Sequence, residues 1–233
     1  MKNRMSRRSR RISAVLAACF LLSMGTLDAA NEPNELNADT VEYDMNSGLV
    51  TAEGNVLLKH GTARATGTKG YYNVKTQEAL LDGNVIAVKD DLRITCNKVM
   101  SNGKGHMFAD GNVHGVRRDQ SFEGDHVDFY PEERNHVVIP AGGRVTSKDG
   151  TATADHMEGW LDDEHYIGTG NAHIVSPPRN MEAGGDRVDY FGKTERKAIM
   201  TGHAWAYKDN NSMKASRLTI YMTDEKNTTI KPE

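Results

Sequence analysis

Nine histidines are the residues of this chain best suited to chemistry, and their spacing invites a metal site. His126 and His156 occupy equivalent places in a recurring pattern, and so do His114 and His173. Stacked repeats could bring such residues together, and imidazole is a common metal ligand. No Cys-x-x-Cys or His-Glu-x-x-His spacing accompanies them, however. The equivalent positions elsewhere hold Thr40, Lys69, Arg187 and Arg217, the composition of a solvated face. Paired acids such as Glu132-Glu133 and Asp162-Asp163-Glu164 could suggest a glycosidase. That chemistry needs two carboxylates across a cleft in distinct environments, whereas these sit together in turn sequences. No Gly-x-Ser-x-Gly motif or phosphate-cradling loop is present. The residues therefore predict no catalytic site, no metal and no cofactor; the chain reads as a non-enzyme.

The elements that carry these residues are repeats. Gly54-Asn55-Val56, Gly83-Asn84-Val85, Gly111-Asn112-Val113, Gly143-Arg144-Val145, Gly170-Asn171-Ala172 and Gly202-His203-Ala204 recur at intervals of 27 to 32 residues. A second marker keeps the same period through Val41-Glu42-Tyr43, Gly70-Tyr71-Tyr72, Val127-Asp128-Phe129 and Val188-Asp189-Tyr190. Internal periodicity of this length signals a repeat architecture. Turn clusters fall twice per repeat, as in Asn46-Ser47-Gly48, Lys59-His60-Gly61, Pro131-Glu132-Glu133 and Lys148-Asp149-Gly150. Two reversals per repeat make two strands per repeat, an antiparallel meander of about 14 strands.

Within each strand the polarity alternates. Val50, Ala52 and Val56 share one face, with Thr51, Glu53 and Asn55 on the other. Such a sheet has one apolar and one wetted face. Glycine recurring mid-strand marks a bend or bulge. Bends at one height in successive strands fold the sheet about a line. The expectation is an all-β, open, V-shaped sheet whose inner face holds Val41, Tyr43, Val56, Leu58, Val85, Val113, Val127, Phe129, Ile174, Val188 and Tyr190. Small residues lie among them, at Ala52, Ala109, Ala141, Gly168, Ala172 and Ala204. A face that is apolar without much bulk leaves room for a guest, although the same residues could pack on each other in a closed sandwich.

The N-terminus supplies the compartment. Lys2, Arg4, Arg7, Arg8, Arg10 and Arg11 precede an apolar run from Ile12 to about Gly25, followed by Asp28-Ala29-Ala30. This is the order of a signal peptide, with a run too short for a membrane span of about 20 residues. Leu16-Ala17-Ala18-Cys19 has the spacing for lipid attachment, but Phe20-Leu21-Leu22 extends the apolar run past the cysteine. Residues 1–30 are thus expected to be a signal helix, with cleavage after Ala30 or at the alternatives Ser23-Met24-Gly25 and Leu27-Asp28-Ala29, and 31–233 a single domain. The leader holds six of the 29 basic and one of the 32 acidic residues, so 23 against 31 leaves the mature chain at −8. That balance argues against nucleic acid, whose binding rests on Lys and Arg neutralising phosphates. Only Cys96 remains in the mature chain, so no internal disulfide can form.

Leu36-Asn37-Ala38-Asp39-Thr40-Val41-Glu42-Tyr43, followed by Ala52-Glu53-Gly54-Asn55-Val56, resembles the opening repeat of the OstA-like lipopolysaccharide-transport family. Ala79–Val85 and Phe108–Val113 are similar to its later repeats, and the likeness runs from about residue 36 to 221. Arg144 and His203 depart from the asparagine of the pattern. The resemblance implies a β-jellyroll whose apolar groove shields the acyl chains of lipopolysaccharide, each buried CH₂ contributing about 0.8 kcal/mol. It also implies a periplasmic location, partners in the inner and outer membranes, and head-to-tail self-association into a bridge. A membrane-tethered recruiter or the periplasmic part of a translocon is a sister reading. The contrasting readings are a secreted β-solenoid, adhesive or polysaccharide-active, and an outer-membrane barrel. Sharp reversals disfavour the first; charge along one whole face and sparse aromatics disfavour the second.

Overall fold

The computed structural model describes residues 34–60, 62–192, 195–222 and 228–232. The expected signal helix and its cleavage point lie outside them. Among the described residues the regular structure is β-strand, apart from one 3₁₀ turn at Pro177–Arg179.

Alternation and the bend account for the arrangement. Two short strands, β1 (Asn34–Asn37) and β2 (Thr40–Asp44), lie side by side on β3 (Leu49–His60). The chain then meanders through β4 (Ala63–Asn73), β5 (Ala79–Lys89), β6 (Leu92–Ser101), β7 (Met107–Arg117) and β8 (Gln120–Tyr130). Four half-length strands follow: β9 (His136–Ile139), β10 (Gly143–Ser147), β11 (Gly150–Ala154) and β12 (His156–Trp160). Full-length strands resume with β13 (His165–Ser176), β14 (Met181–Phe191), β15 (Lys197–Lys208) and β16 (Asn211–Met222), and β17 (Thr228–Pro232) ends the sheet. Every recorded pairing is antiparallel. A parallel solenoid is thereby ruled out. Taking β1 with β2, β9 with β10 and β11 with β12 as broken long strands gives the meander of about 14 expected from the repeats.

Each long strand changes register midway. The ladder skips from Glu53↔Lys69 to Val56↔Gly67, from Asp82↔Lys98 to Val85↔Cys96, and from Thr201↔Arg217 to Ala204↔Ala215. These steps line up from strand to strand and divide the sheet into two walls joined along a spine. The first wall holds 49–53, 69–73, 79–82 and their successors; the second holds 56–60, 63–67, 85–89 and theirs.

The repeated Gly-Asn pair builds the spine. Gly54 has φ +73° and Asn55 φ +47°, and the same two left-handed residues recur at 83–84, 111–112, 170–171 and 202–203. Glycine adopts this region freely and asparagine more readily than other side chains. The first position is also crowded: a Cβ on Gly54, Gly83, Gly170 or Gly202 would collide with Asp39, Thr68, Asp155 or Asp186. The second residue then ties the corner. Asn55 Nδ2 donates to Asp39 Oδ2 at 2.9 Å and Asn171 Nδ2 to Asp155 Oδ2 at 2.8 Å. At the last corner the replacement His203 keeps the contact, its Nδ1 2.9 Å from Asp186. The asparagine is a structural clamp, which is why a histidine can stand in for it.

The fourth repeat departs from the alignment of the glycines. The left-handed residue is Gly142, and Gly143 is an ordinary strand residue. Pro140 precedes it where the strand breaks. Proline donates no ladder hydrogen bond, so a break there is expected. Ala141, assigned from the sequence to the inner face, is exposed in this break; Ile139 takes the core place at 3% exposure.

Candidate functional site

The residues assigned to an apolar face do share one. Register pairs Val56 with Gly67, Val85 with Cys96, Val113 with Gly124, Val127 with Ala109 and Val188 with Met200. All five valines are buried beside the spine. Farther out, Leu58 and Ile174 are half-buried on the second wall and pack against the core, as Tyr190 does from the first. Phe129 is buried on the first wall. Val41 and Tyr43 lie opposite Ala52 and Val50 on the same face. As members of the edge strand they stay 43% and 44% exposed, an apolar rim at one end of the sheet.

Sequence reasoning missed much of the bulk. Leu81, Met200, Leu218 and Ile220 are at most 1% exposed and fill the space between the small residues. A signal for two of them was present: Leu81 and Met200 stand two residues before their corner glycines, where Ala52 and Ala109 stand in other repeats. The walls therefore bury each other. At the β1–β3 end a cleft of about 20 Å³ lies among residues that include Leu36, Val50, Val56 and Leu81. Cys96 belongs to this core, and burial pushes its thiol up to about 11, the behaviour of a small apolar side chain.

Larger space occurs at the broken repeat. A hollow of about 710 Å³ lies where β7, β8, β10, β11 and β13 meet the spine. Its lining joins core residues Val113 and Ala154 to polar ones including Asn112, His114, Arg144 and Asn171.

His106, His114, His126, His136, His165, His173 and His203 lie against carboxylates of neighbouring strands. His106 Nε2 is 2.7 Å from Asp128, His173 Nε2 2.7 Å from Glu182, and His114 Nδ1 3.4 Å from Glu123. His126 lies between Asp110 at 2.8 Å and Asp128 at 3.2 Å. Burial opposes its charge, but the hydrogen bonds to both carboxylates outweigh that and raise its pKa. The bond from His126 in turn lowers Asp110, with Lys98 assisting at 3.3 Å. Near the turns of the first wall a stack crosses the strands, with His106–Tyr130 centroids 4.6 Å apart, His136–Trp160 4.4 Å and His165–Phe191 4.6 Å. Tyr130–His136 at 5.7 Å and Trp160–His165 at 5.3 Å join these pairs into one ladder. Cross-strand pairs of this kind stabilise a sheet by roughly 0.2–1 kcal/mol each. Among the described residues no group of His, Cys, Asp and Glu is placed to hold a metal ion.

Two folded walls with an apolar interior are not unique to one function, so comparison with known proteins decides the family. Residues 66–226 match the family described as the LptA/(LptD N-terminal domain) LPS transport protein. The chain belongs to this family. The match spans more than half of the sequence and takes in the corners at Gly83, Gly111, Gly170 and Gly202. No curated protein matches the chain. Among solved structures it is similar to LptH of Pseudomonas aeruginosa, described as the LptA-homologous periplasmic component of the lipopolysaccharide transport device. That similarity has a TM-score of 0.41 at 13% identity, covering 45% of this chain and 80% of LptH.

Proposed function

We propose that this chain is a non-enzymatic lipopolysaccharide carrier of the periplasm, exported by a leader spanning residues 1–30. The mature part, 31–233, acts as one domain that shields acyl chains between its walls. The observation that carries the reading is the apolar face itself, running from Val41 on β2 to Ile220 on β16, with Arg179 at the β13–β14 turn the one charged side chain buried among the described residues. Family membership supplies the lipopolysaccharide.

In this reading the walls part around the guest. Leu58, Ile174, Val56, Val85, Val113, Val127, Phe129, Val188 and Tyr190 line the groove, and Val41 and Tyr43 its open rim. The edges serve assembly. Among the described residues β1 and β2 pair only with β3, and β17 only with β16, which leaves backbone groups able to accept another strand. Heterologous edge contacts produce open chains when the rotation does not close. About 14 strands at roughly 4.8 Å span some 65 Å, so copies joined head to tail, with components in the inner and outer membranes, would make a bridge.

The test is lipopolysaccharide retained by the purified mature protein. Leu58→Glu places a charge on the inner face at a half-buried position, and Lys59→Glu places one next to it on the outside. Retention lost in the first and kept in the second, with β content equal, supports the groove. Equal retention in both overturns it.

A further inference from the structure

The broken repeat does more than interrupt a pattern. At a regular corner such as Glu53–Val56 the ladder skips two residues of one strand and one of the other. Between β8 and its neighbours the skip is far wider. Pairing with β10 ends at Glu123↔Arg144 and pairing with β9 resumes at Asp128↔Val138. Residues 124–127 on one side and 139–143 on the other have no ladder partner across this gap.

Three properties follow. Parting two paired strands sacrifices their ladder hydrogen bonds; parting this gap sacrifices none from the ladder. The borders carry little side-chain bulk, with Gly124, Gly142 and Gly143 among the facing residues, and a Cβ on Gly142 would meet nothing within 4 Å. The floor is apolar: Val113 and Ala154 belong to the core and line the hollow, and Ile139 packs directly beneath Gly124. Elsewhere along the spine, corner clamps such as Asn55–Asp39 and His203–Asp186 hold the strands together.

We infer that the hollow at the broken repeat is a side entrance, through which an acyl chain of a glycolipid reaches the inner face without passing either edge of the sheet. This rests on the groove reading above. An amphiphile fits it because the apolar floor takes the chain while the polar rim, in which Arg144 and Asn112 stand beside the carboxylates Glu123, Asp125 and Asp155, stays with water and the sugar hydroxyls of the headgroup. The volume of about 710 Å³ lies within the range of small-molecule sites. Ile139 is the side chain that moves aside.

The experiment blocks the hollow from its exposed rim. In a chain with Cys19 and Cys96 replaced by alanine, Asp125→Cys places a thiol on the exposed rim, and Ser216→Cys places one at the regular β15–β16 corner, at an exposed position. Each is modified with a bulky maleimide, and a photo-reactive residue at 174 reports arrival of lipopolysaccharide from micelles. Modification at 125 should slow the initial rate by about tenfold, within the one to three decades over which related on-rates vary, and modification at 216 should leave it unchanged. Equal rates after both modifications overturn the entrance and leave the groove intact. A folded, unmodified chain that yields no adduct at 174 overturns the groove reading, and the entrance with it.

Discussion

The regular corners and the broken repeat solve one geometric problem in opposite ways. At Gly54, Gly83, Gly111, Gly170 and Gly202 a continuous strand turns through two left-handed residues. At residues 139–143 the strand stops and restarts, and Pro140 and Gly142 replace the Gly-Asn pair. Continuous corners keep the ladder and fix the angle between the walls. The interrupted one gives up pairing and leaves a hollow beside the core. The difference teaches that rigidity along the spine is set locally, one corner at a time, while burial is shared by the whole face.

Core truncation should separate the two regions most strongly. Leu81→Ala, at a fully buried position beside regular corners, is expected to cost 2–5 kcal/mol in denaturant unfolding, from lost transfer energy and the cavity left behind. Ile139→Ala should fall at the bottom of that range, because its neighbours Gly124 and Gly143 border space that water can reach. Equal losses would show the hollow to be energetically indistinct. Backbone substitutions sharpen the contrast next. Gly83→Val forces a β-branched residue into φ +85° and onto Thr68, at a cost of roughly 1–3 kcal/mol. Gly142→Asn should change stability by less than about 0.5 kcal/mol, since asparagine tolerates this conformation and nothing crowds the site.

A smaller effect tests the outer face. The folded-state pKa of His126 is raised, so its pairing with Asp110 and Asp128 stabilises the fold fully below the unfolded value near 6.5. That contribution is lost as pH rises through the folded value. His126→Gln should therefore lower Tm at pH 5.5 and have little effect at pH 8. The site is partly exposed, so the gap amounts to under about 1 kcal/mol. A gap that widens with rising pH would reverse the sign and refute the pairing. The smallest expected effect is that of salt on lipid binding. With the leader removed as proposed, the remaining charge of −8 would offer an anionic glycolipid no net attraction, and screening acts on exposed charges. Affinity that falls steeply with salt would point instead to local cations such as Arg117-Arg118.

Much of this was legible in the sequence where a local rule acts alone. Period-two alternation placed Val56, Val85, Val113, Val127 and Val188 on one face, and the Gly-Asn repeats located the corners. The rest depends on what the walls do to each other. The small lining residues implied open space, but Leu81, Met200, Leu218 and Ile220 fill it, because repeat spacing sets which face a residue takes and not how much bulk stands there. Ala141 was misplaced because Gly143 fits the repeat spacing as well as Gly142 does, and only the backbone distinguishes them. Val41 and Tyr43 were correctly faced, yet their exposure follows from the edge of the sheet, which alternation does not encode. The aromatic and histidine ladder was invisible as a ladder, since its members belong to different turns and meet only through register.

Neighbouring residues on β13 give the most direct test of the central claim. Ile174 faces the interior, opposite Ala152 and Ala183, while His173 faces outward to Glu182. A photo-reactive residue placed at each in turn, in the presence of lipopolysaccharide, should yield a lipid adduct at 174 and none at 173. Adducts of equal strength at both, or a stronger one at 173, would contradict an acyl-binding groove between the walls.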